Sequence, residues 1–129
     1  MDSAPTPART VLLRHTLPEG LAHLDWLIER PGAPEALLIA FRVQERPDKP
    51  EITAFVAQHA ADHRRVYLDF EGPVSGGRGD VRRVAVGIVE SLSEDAGAIT
   101  IRVRFAGDQS AWRGIKGPDD SWRFQRLPI

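Results

Sequence analysis

Cysteine is absent from the 129 residues. Its absence excludes disulfides, thiolate metal sites and a cysteine nucleophile, and it agrees with a reducing compartment. No apolar run approaches the about 18–20 residues that a membrane-spanning helix needs, so no membrane partner is expected. The opening Met1-Asp2-Ser3-Ala4-Pro5-Thr6-Pro7 has neither the basic nor the apolar region of a secretory leader. Residues 1–8 are therefore expected to form a short disordered tail and residues 9–129 a single domain, monomeric and cytoplasmic.

A strong basic excess is missing too. Residues 1–63 carry 6 basic and 9 acidic side chains and residues 64–129 carry 11 and 9, a net charge of −1 over the chain. Proteins that grip a duplex through many phosphates are usually much more basic. Any contact with nucleic acid is then expected to be local, at an end or over a few phosphates, or to need a partner protein.

Ordinary globular composition is present, with 42% hydrophobic and 27% charged residues, arranged as short segments punctuated by proline and glycine. The clearest is Ile99, Ile101, Val103 and Phe105 alternating with Thr100, Arg102 and Arg104, the period of two that gives a strand one apolar and one wet face. Further candidate strands are Thr10–Thr16, Ala22–Glu29, Ala36–Val43, Arg65–Phe70, Val81–Ser91, Ser110–Ile115 and Ser121–Leu127, with a turn at Pro18-Glu19-Gly20 and a hairpin turn at Ser93–Gly97. Seven or eight short strands with little helix predict an all-β fold, a single small β-barrel, with a sandwich as the other arrangement. Glu51–Asp62 is ambiguous: Pro50 followed by Ile52, Phe55, Val56, His59 and His63 also fits an amphipathic helix.

Four histidines carry most of the chemical signal. In His23-Leu24-Asp25, residues two apart on a strand project from one face, roughly 6.5 Å apart at Cα. An imidazole and a carboxylate placed so can share Mn²⁺, Fe²⁺ or Zn²⁺. A hairpin would return His15 beside His23 as a third ligand. The plain alternative is a half-exposed strand with an ordinary surface His and Asp. His63-Arg64-Arg65-Val66-Tyr67, with His59 one helical turn earlier, offers an imidazole, forked guanidinium donors and a phenol for a phosphate; its plain alternative is a charged turn entering a strand. A zinc helix is disfavoured because Ala60, not glutamate, follows His59. The stretch Glu71–Asp80 is rich in glycine and could form a phosphate-holding nest around Arg78, or simply a tight turn. It is neither a P-loop nor a dinucleotide fingerprint.

Taken jointly, these pieces resemble the 3′-phosphoesterase domain of bacterial DNA ligase D, and more closely its short stand-alone relatives. The resemblance rests on His15, then His23-Leu24-Asp25; on His59, His63 and Tyr67 leading into Asp69-Phe70-Glu71-Gly72; and on the Gly72–Gly79 run. It covers roughly residues 10–127. It implies that His15, His23 and Asp25 bind a divalent cation, by family habit Mn²⁺, and that His63 and Tyr67 contact the scissile phosphate. The implied reaction is removal of a 3′-phosphate or 3′-terminal nucleotide to leave a 3′-OH for DNA end repair, as in non-homologous end joining, with a DNA ligase or polymerase as possible partner.

Several positions depart from that pattern. The loop from His15 to His23 is two residues longer, Thr16 replaces an aspartate, and Val84-Ala85 replaces a Trp-Asp pair. Leu27 and Phe55 stand where phosphate-directed arginines are expected, with Arg64, Arg65 and Arg78 as substitutes. Two other classes remain open. A non-haem Fe(II) oxygenase would use His23, Asp25 and His63 and leave His15 free. A non-catalytic barrel would bind DNA ends or a repair partner.

Overall fold

The computed structural model describes residues 6–129, and the fold is an all-β, closed antiparallel barrel of eight strands. The strands are β1 (Ala8–Thr16), β2 (Ala22–Ile28), β3 (Leu38–Val43), β4 (Ala54–His63), the two-residue β5 (Gly72–Pro73), β6 (Asp80–Glu94), β7 (Ala98–Phe105), β8 (Asp108–Lys116) and β9 (Ser121–Leu127). Around the wall the order is β1-β2-β3-β4-β9-β8-β7-β6, and β6 pairs back onto β1, with β5 as an appendage of β6. The expectation of seven or eight strands is met. Of the expected tail at residues 1–8, residues 1–5 lie outside the described residues, and β1 already begins at Ala8.

One ambiguity is resolved and one expectation is corrected. Glu51–Asp62 is not a helix: Phe55 and Ala57 are buried, while Ala54, Val56 and Gln58, which alternate with them, are exposed. Val56, which a helical apolar face would have buried, is 55% exposed; pairing with β3 and β9 decides the conformation. Arg65–Phe70 is not a strand. It contains one 3₁₀ turn, Arg65–Leu68, that buries Leu68. The β-prone run Val66-Tyr67-Leu68 imitates a strand over too few residues to specify one.

Aromatic side chains fill the barrel interior. Phe55 stacks on Phe124 with ring centroids 5.2 Å apart, and Trp26, Phe41 and Trp112 close around them. Trp26 Nε1–H donates to Thr10 Oγ1, whose hydroxyl donates to the Leu27 carbonyl, so this buried polar chain is satisfied. This packing fills the middle of the barrel, and openings remain at its end, beside Phe41 and Trp122, and on its outer wall.

Topology builds a site there. The strands form two four-stranded meanders, β1–β4 and β6–β9. Because β6 must pair with β1, the chain leaving β4 crosses the outer face of β3, β2 and β1. That crossing explains why β1–β3 read as nearly unbroken apolar runs: Leu12, Trp26 and Phe41 face the interior, while Val11, Leu13, Leu27, Leu38 and Ala40 form a second core under Leu68 and Tyr67. Charges tie the crossing segment down. Asp69 takes both terminal nitrogens of Arg9, at 2.8 and 3.2 Å. Buried Glu29 accepts the Arg9 backbone N–H and pairs with Arg65.

Candidate metal centre and adjoining pocket

The turn after β1 closes as its sequence indicates. Gly20 takes φ +96° and Leu17 N–H donates to Leu21 at 2.7 Å. That turn sets a register placing His15 opposite His23 and Leu13 opposite Asp25. His15, His23 and Asp25 thus share the outer face of neighbouring strands. One ligand atom from each lies within 4.8 Å of the other two, so the trio could hold a metal ion. The imidazole centroids are 5.0 Å apart. His23 Nε2 lies 3.3 Å and His15 Nδ1 3.9 Å from the same oxygen, Asp25 Oδ2.

The donor chemistry fits a divalent cation. Two ligands each about 2.1 Å from one ion stand about 3.0–3.4 Å apart at octahedral or tetrahedral angles. The His23–Asp25 separation is already in that range and the His15–Asp25 separation is slightly wider. His15 Nε2 donates to the Arg78 carbonyl at 2.7 Å. That bond fixes the proton on Nε2 and leaves the Nδ1 lone pair toward Asp25, the outer support that metal-binding histidines use. Burial pushes the His23 pKa down, outweighing the nearby Asp25 carboxylate, so the ring stays neutral and ligand-ready below the usual histidine range. Were the trio to hold an ion, three protein ligands would leave coordination positions open.

His15 and Asp25 also line a pocket of about 280 Å³ with His63, Arg64, Tyr67 and Arg78. His63 ends β4 and Tyr67 sits in the crossing 3₁₀ turn, their rings 5.9 Å apart and edge-on. His63 Nδ1 donates to the Ala61 carbonyl at 2.8 Å, which leaves Nε2 as the free ring nitrogen. The Arg64 guanidinium lies 5.7 Å over the Tyr67 ring. Arg78 is held in its turn by Ser75, through the backbone carbonyl at 2.7 Å and Oγ at 3.3 Å.

Two of the residues expected at a phosphate are placed elsewhere. The Arg65 guanidinium pairs with Glu29 beneath the crossing segment. His59 packs against Phe41 and Trp122 and lines a separate cavity with Arg30, Asp62 and Glu94. Both are removed from the phosphate-binding set. Leu27 and Phe55 are buried, Leu27 under Leu68 and Phe55 among the interior aromatics, so a cation at either position would meet apolar packing. His63 is not in the metal-capable trio, which takes His15 instead, so an oxygenase-type set of His23, Asp25 and His63 is not assembled. One neighbour escaped the sequence reading. Arg42 pairs across β2–β3 with Asp25, a juxtaposition visible only once the strand register is known.

No protein-family model matches this chain, and no curated protein matches it.

Proposed function

We propose that this protein is a metal-dependent phosphoesterase that trims nucleic-acid 3′ ends, removing a 3′-phosphate or 3′-terminal nucleotide to leave a 3′-OH. The observation that carries the reading is a shared pocket: His15 and Asp25 of the metal-capable trio open onto the same space as His63, Arg64, Tyr67 and Arg78.

His15, His23 and Asp25 would hold the cation, Mn²⁺ by the resemblance stated above, with Zn²⁺ or Fe²⁺ chemically admissible. Bound there, a divalent ion neutralises phosphoryl charge and acidifies water. The chain's own groups do the rest. Arg64 and Arg78 present guanidinium donors to non-bridging oxygens. His63, with Nδ1 committed to a carbonyl, offers Nε2 to take a proton or, once protonated, to donate one to a leaving oxygen. The Tyr67 hydroxyl adds a neutral donor for the charge that builds in the transition state.

The test is a 5′-labelled primer–template ending in a 3′-phosphate, incubated with Mn²⁺ or EDTA and resolved on a denaturing gel. Conversion to 3′-OH with Mn²⁺ alone is expected. Absence of conversion with any of Mn²⁺, Zn²⁺ or Fe²⁺ overturns the catalytic reading. Apolar Leu27 and Phe55, in place of the expected arginines, favour the second reading, a barrel that binds ends without turnover; an intact metal site with no hydrolysis would support it.

A further inference from the structure

The wall formed by β4, β9, β8 and β7 lies across the barrel from the His15–His23–Asp25 group on β1 and β2. Strand alternation sorts its side chains. Trp112, Trp122 and Phe124 are buried inside, which turns Val56, Arg113, Ile115 and Arg123 outward, all of them exposed. Arg102, partly exposed between buried Ile101 and Val103, faces the same way. Each of these strands is paired on both sides. No free edge invites an added strand, so a partner must bind this wall through side chains.

The register sets three outward arginines on a diagonal. Arg102 stands opposite Ala111, two residues before Arg113; Arg113 stands opposite Gln125, two residues after Arg123. Diagonal neighbours of this kind sit roughly 7–8 Å apart. Arg104, on the same face, is paired with Glu90. Among the described residues no carboxylate pairs with Arg102, Arg113 or Arg123, and Arg113 has only the Thr100 hydroxyl, at 3.2 Å. Apolar residues flank one end of the diagonal. Val56, Arg123 and Ile115 form a cross-strand row, with Val56 55% and Ile115 45% exposed. With Pro118 and Ser121 they border a pocket of about 180 Å³, room for one apolar side chain. Beyond it, the turn between β8 and β9 carries exposed Asp119 and Asp120, which repel an anion from that side.

We propose that this wall docks an extended acidic segment of a partner protein. Its carboxylates would meet Arg102, Arg113 and Arg123, and one apolar side chain would enter the pocket between Val56 and Ile115. Alternate residues of an extended chain project from one face about 6.6–6.8 Å apart, close to the spacing of the arginines. Asp119 and Asp120 set the direction: the apolar residue lies beside their turn and the acidic ones run toward β7. Three features favour a protein over nucleic acid. Among the described residues, none that faces out from this wall is an aromatic on which bases could stack. Three arginines are few for a duplex. A phosphate backbone also makes no use of the exposed aliphatic pair. The proposal is independent of the phosphoesterase reading, because the metal-capable group lies on the opposite side of the barrel.

The experiment follows the anisotropy of a fluorescein-labelled peptide, one leucine followed by glutamates at three alternate positions. It is titrated with the parent, Arg113→Glu, Arg123→Glu and Ile115→Ser over a range of salt. The comparison probes are the same peptide with glutamines for glutamates, and single-stranded and duplex oligonucleotides. The parent should bind the acidic peptide, less tightly as salt rises, and the glutamine peptide at least about tenfold more weakly. Each arginine reversal should lower affinity on the order of tenfold. Ile115→Ser should lower it several-fold while the salt dependence is kept. The substituted side chains point outward, so circular dichroism should report the parental fold throughout. Failure of the parent to bind, equal binding of the two peptides, or parental affinity in both arginine variants overturns the proposal. Parental affinity in Ile115→Ser strikes the apolar anchor. Tighter binding of either oligonucleotide than of the acidic peptide, lost in the arginine variants, overturns the protein partner and assigns the wall to nucleic acid.

Discussion

His15 Nε2 donates a 2.7 Å hydrogen bond to the Arg78 carbonyl, joining the barrel wall to the segment that crosses it. One bond therefore sets both the tautomer of a metal-capable histidine and the position of a residue lining the phosphate-sized pocket. The contact depends on Gly79. It sits at φ +100°, and a Cβ there would lie 2.1 Å from the Thr16 carbonyl oxygen. The crossing backbone rests directly on the end of β1.

Gly79→Ala should lift that backbone and break the Arg78–His15 bond while the barrel stays folded. Loss of such an outer support typically weakens metal binding by about 10–100-fold. Mn²⁺ titration together with far-UV circular dichroism checks this; a parental affinity in the variant would show that the close approach is dispensable.

Arg65→Ala should affect stability rather than chemistry. The substitution leaves buried Glu29 with only the Arg9 backbone N–H. Since the Arg65 side chain is 31% exposed, the expected cost is about 1–3 kcal/mol, below that of breaking a fully buried pair. Urea unfolding should show the loss, with Mn²⁺ affinity retained. A variant as stable as the parent but unable to bind a 3′-phosphate would restore Arg65 to the site.

Leu68→Ala removes the only buried side chain of the 3₁₀ turn, which is 1% exposed over Leu13 and Leu27. Truncations of this kind cost about 2–5 kcal/mol. The crossing segment should loosen before the barrel does, so hydrogen exchange around residues 64–79 should quicken more than in β7 or β8. Uniform quickening across the chain would mean that the segment and barrel unfold as one unit.

The depressed His23 pKa has a definite sign. The unfolded chain takes up a proton near the ordinary value of about 6.5 and the folded chain only at lower pH. His23 therefore contributes stability that is full above about pH 6.5 and is lost as pH falls through the folded pKa. In metal-free protein, His23→Asn should flatten this part of the stability–pH curve, as read by urea midpoints between pH 5 and 7.5. An unchanged curve would mean that His23 titrates like a free histidine.

His63→Ala should leave Mn²⁺ bound and stop release of a 3′-phosphate, because His63 faces the pocket without joining the trio. Unaltered turnover would remove it from the chemistry.

The barrel was legible because its strands obey simple alternation. Residues 98–105 alternate strictly between partly buried and buried, as their apolar and polar residues indicate. The trio was legible because a tight turn at Gly20 and a spacing of two leave little freedom in where His15, His23 and Asp25 point. What failed was local mimicry: Val56 and His59 fall at helical spacing within a strand, and Val66–Leu68 is a β-prone run within a turn. Arg42 and the Arg78 carbonyl were missed for a different reason. The first meets Asp25 through a strand register 17 positions away along the chain. The second is a backbone group, which carries no residue-type signature.

The most direct test of the account is Mn²⁺ binding followed by electron paramagnetic resonance in the parent, His15→Ala, His23→Ala and His63→Ala. The account predicts one tightly held ion per chain in the parent and in His63→Ala, and none in the other two, with all four folded. Retention of the ion by His15→Ala and its loss from His63→Ala would contradict it.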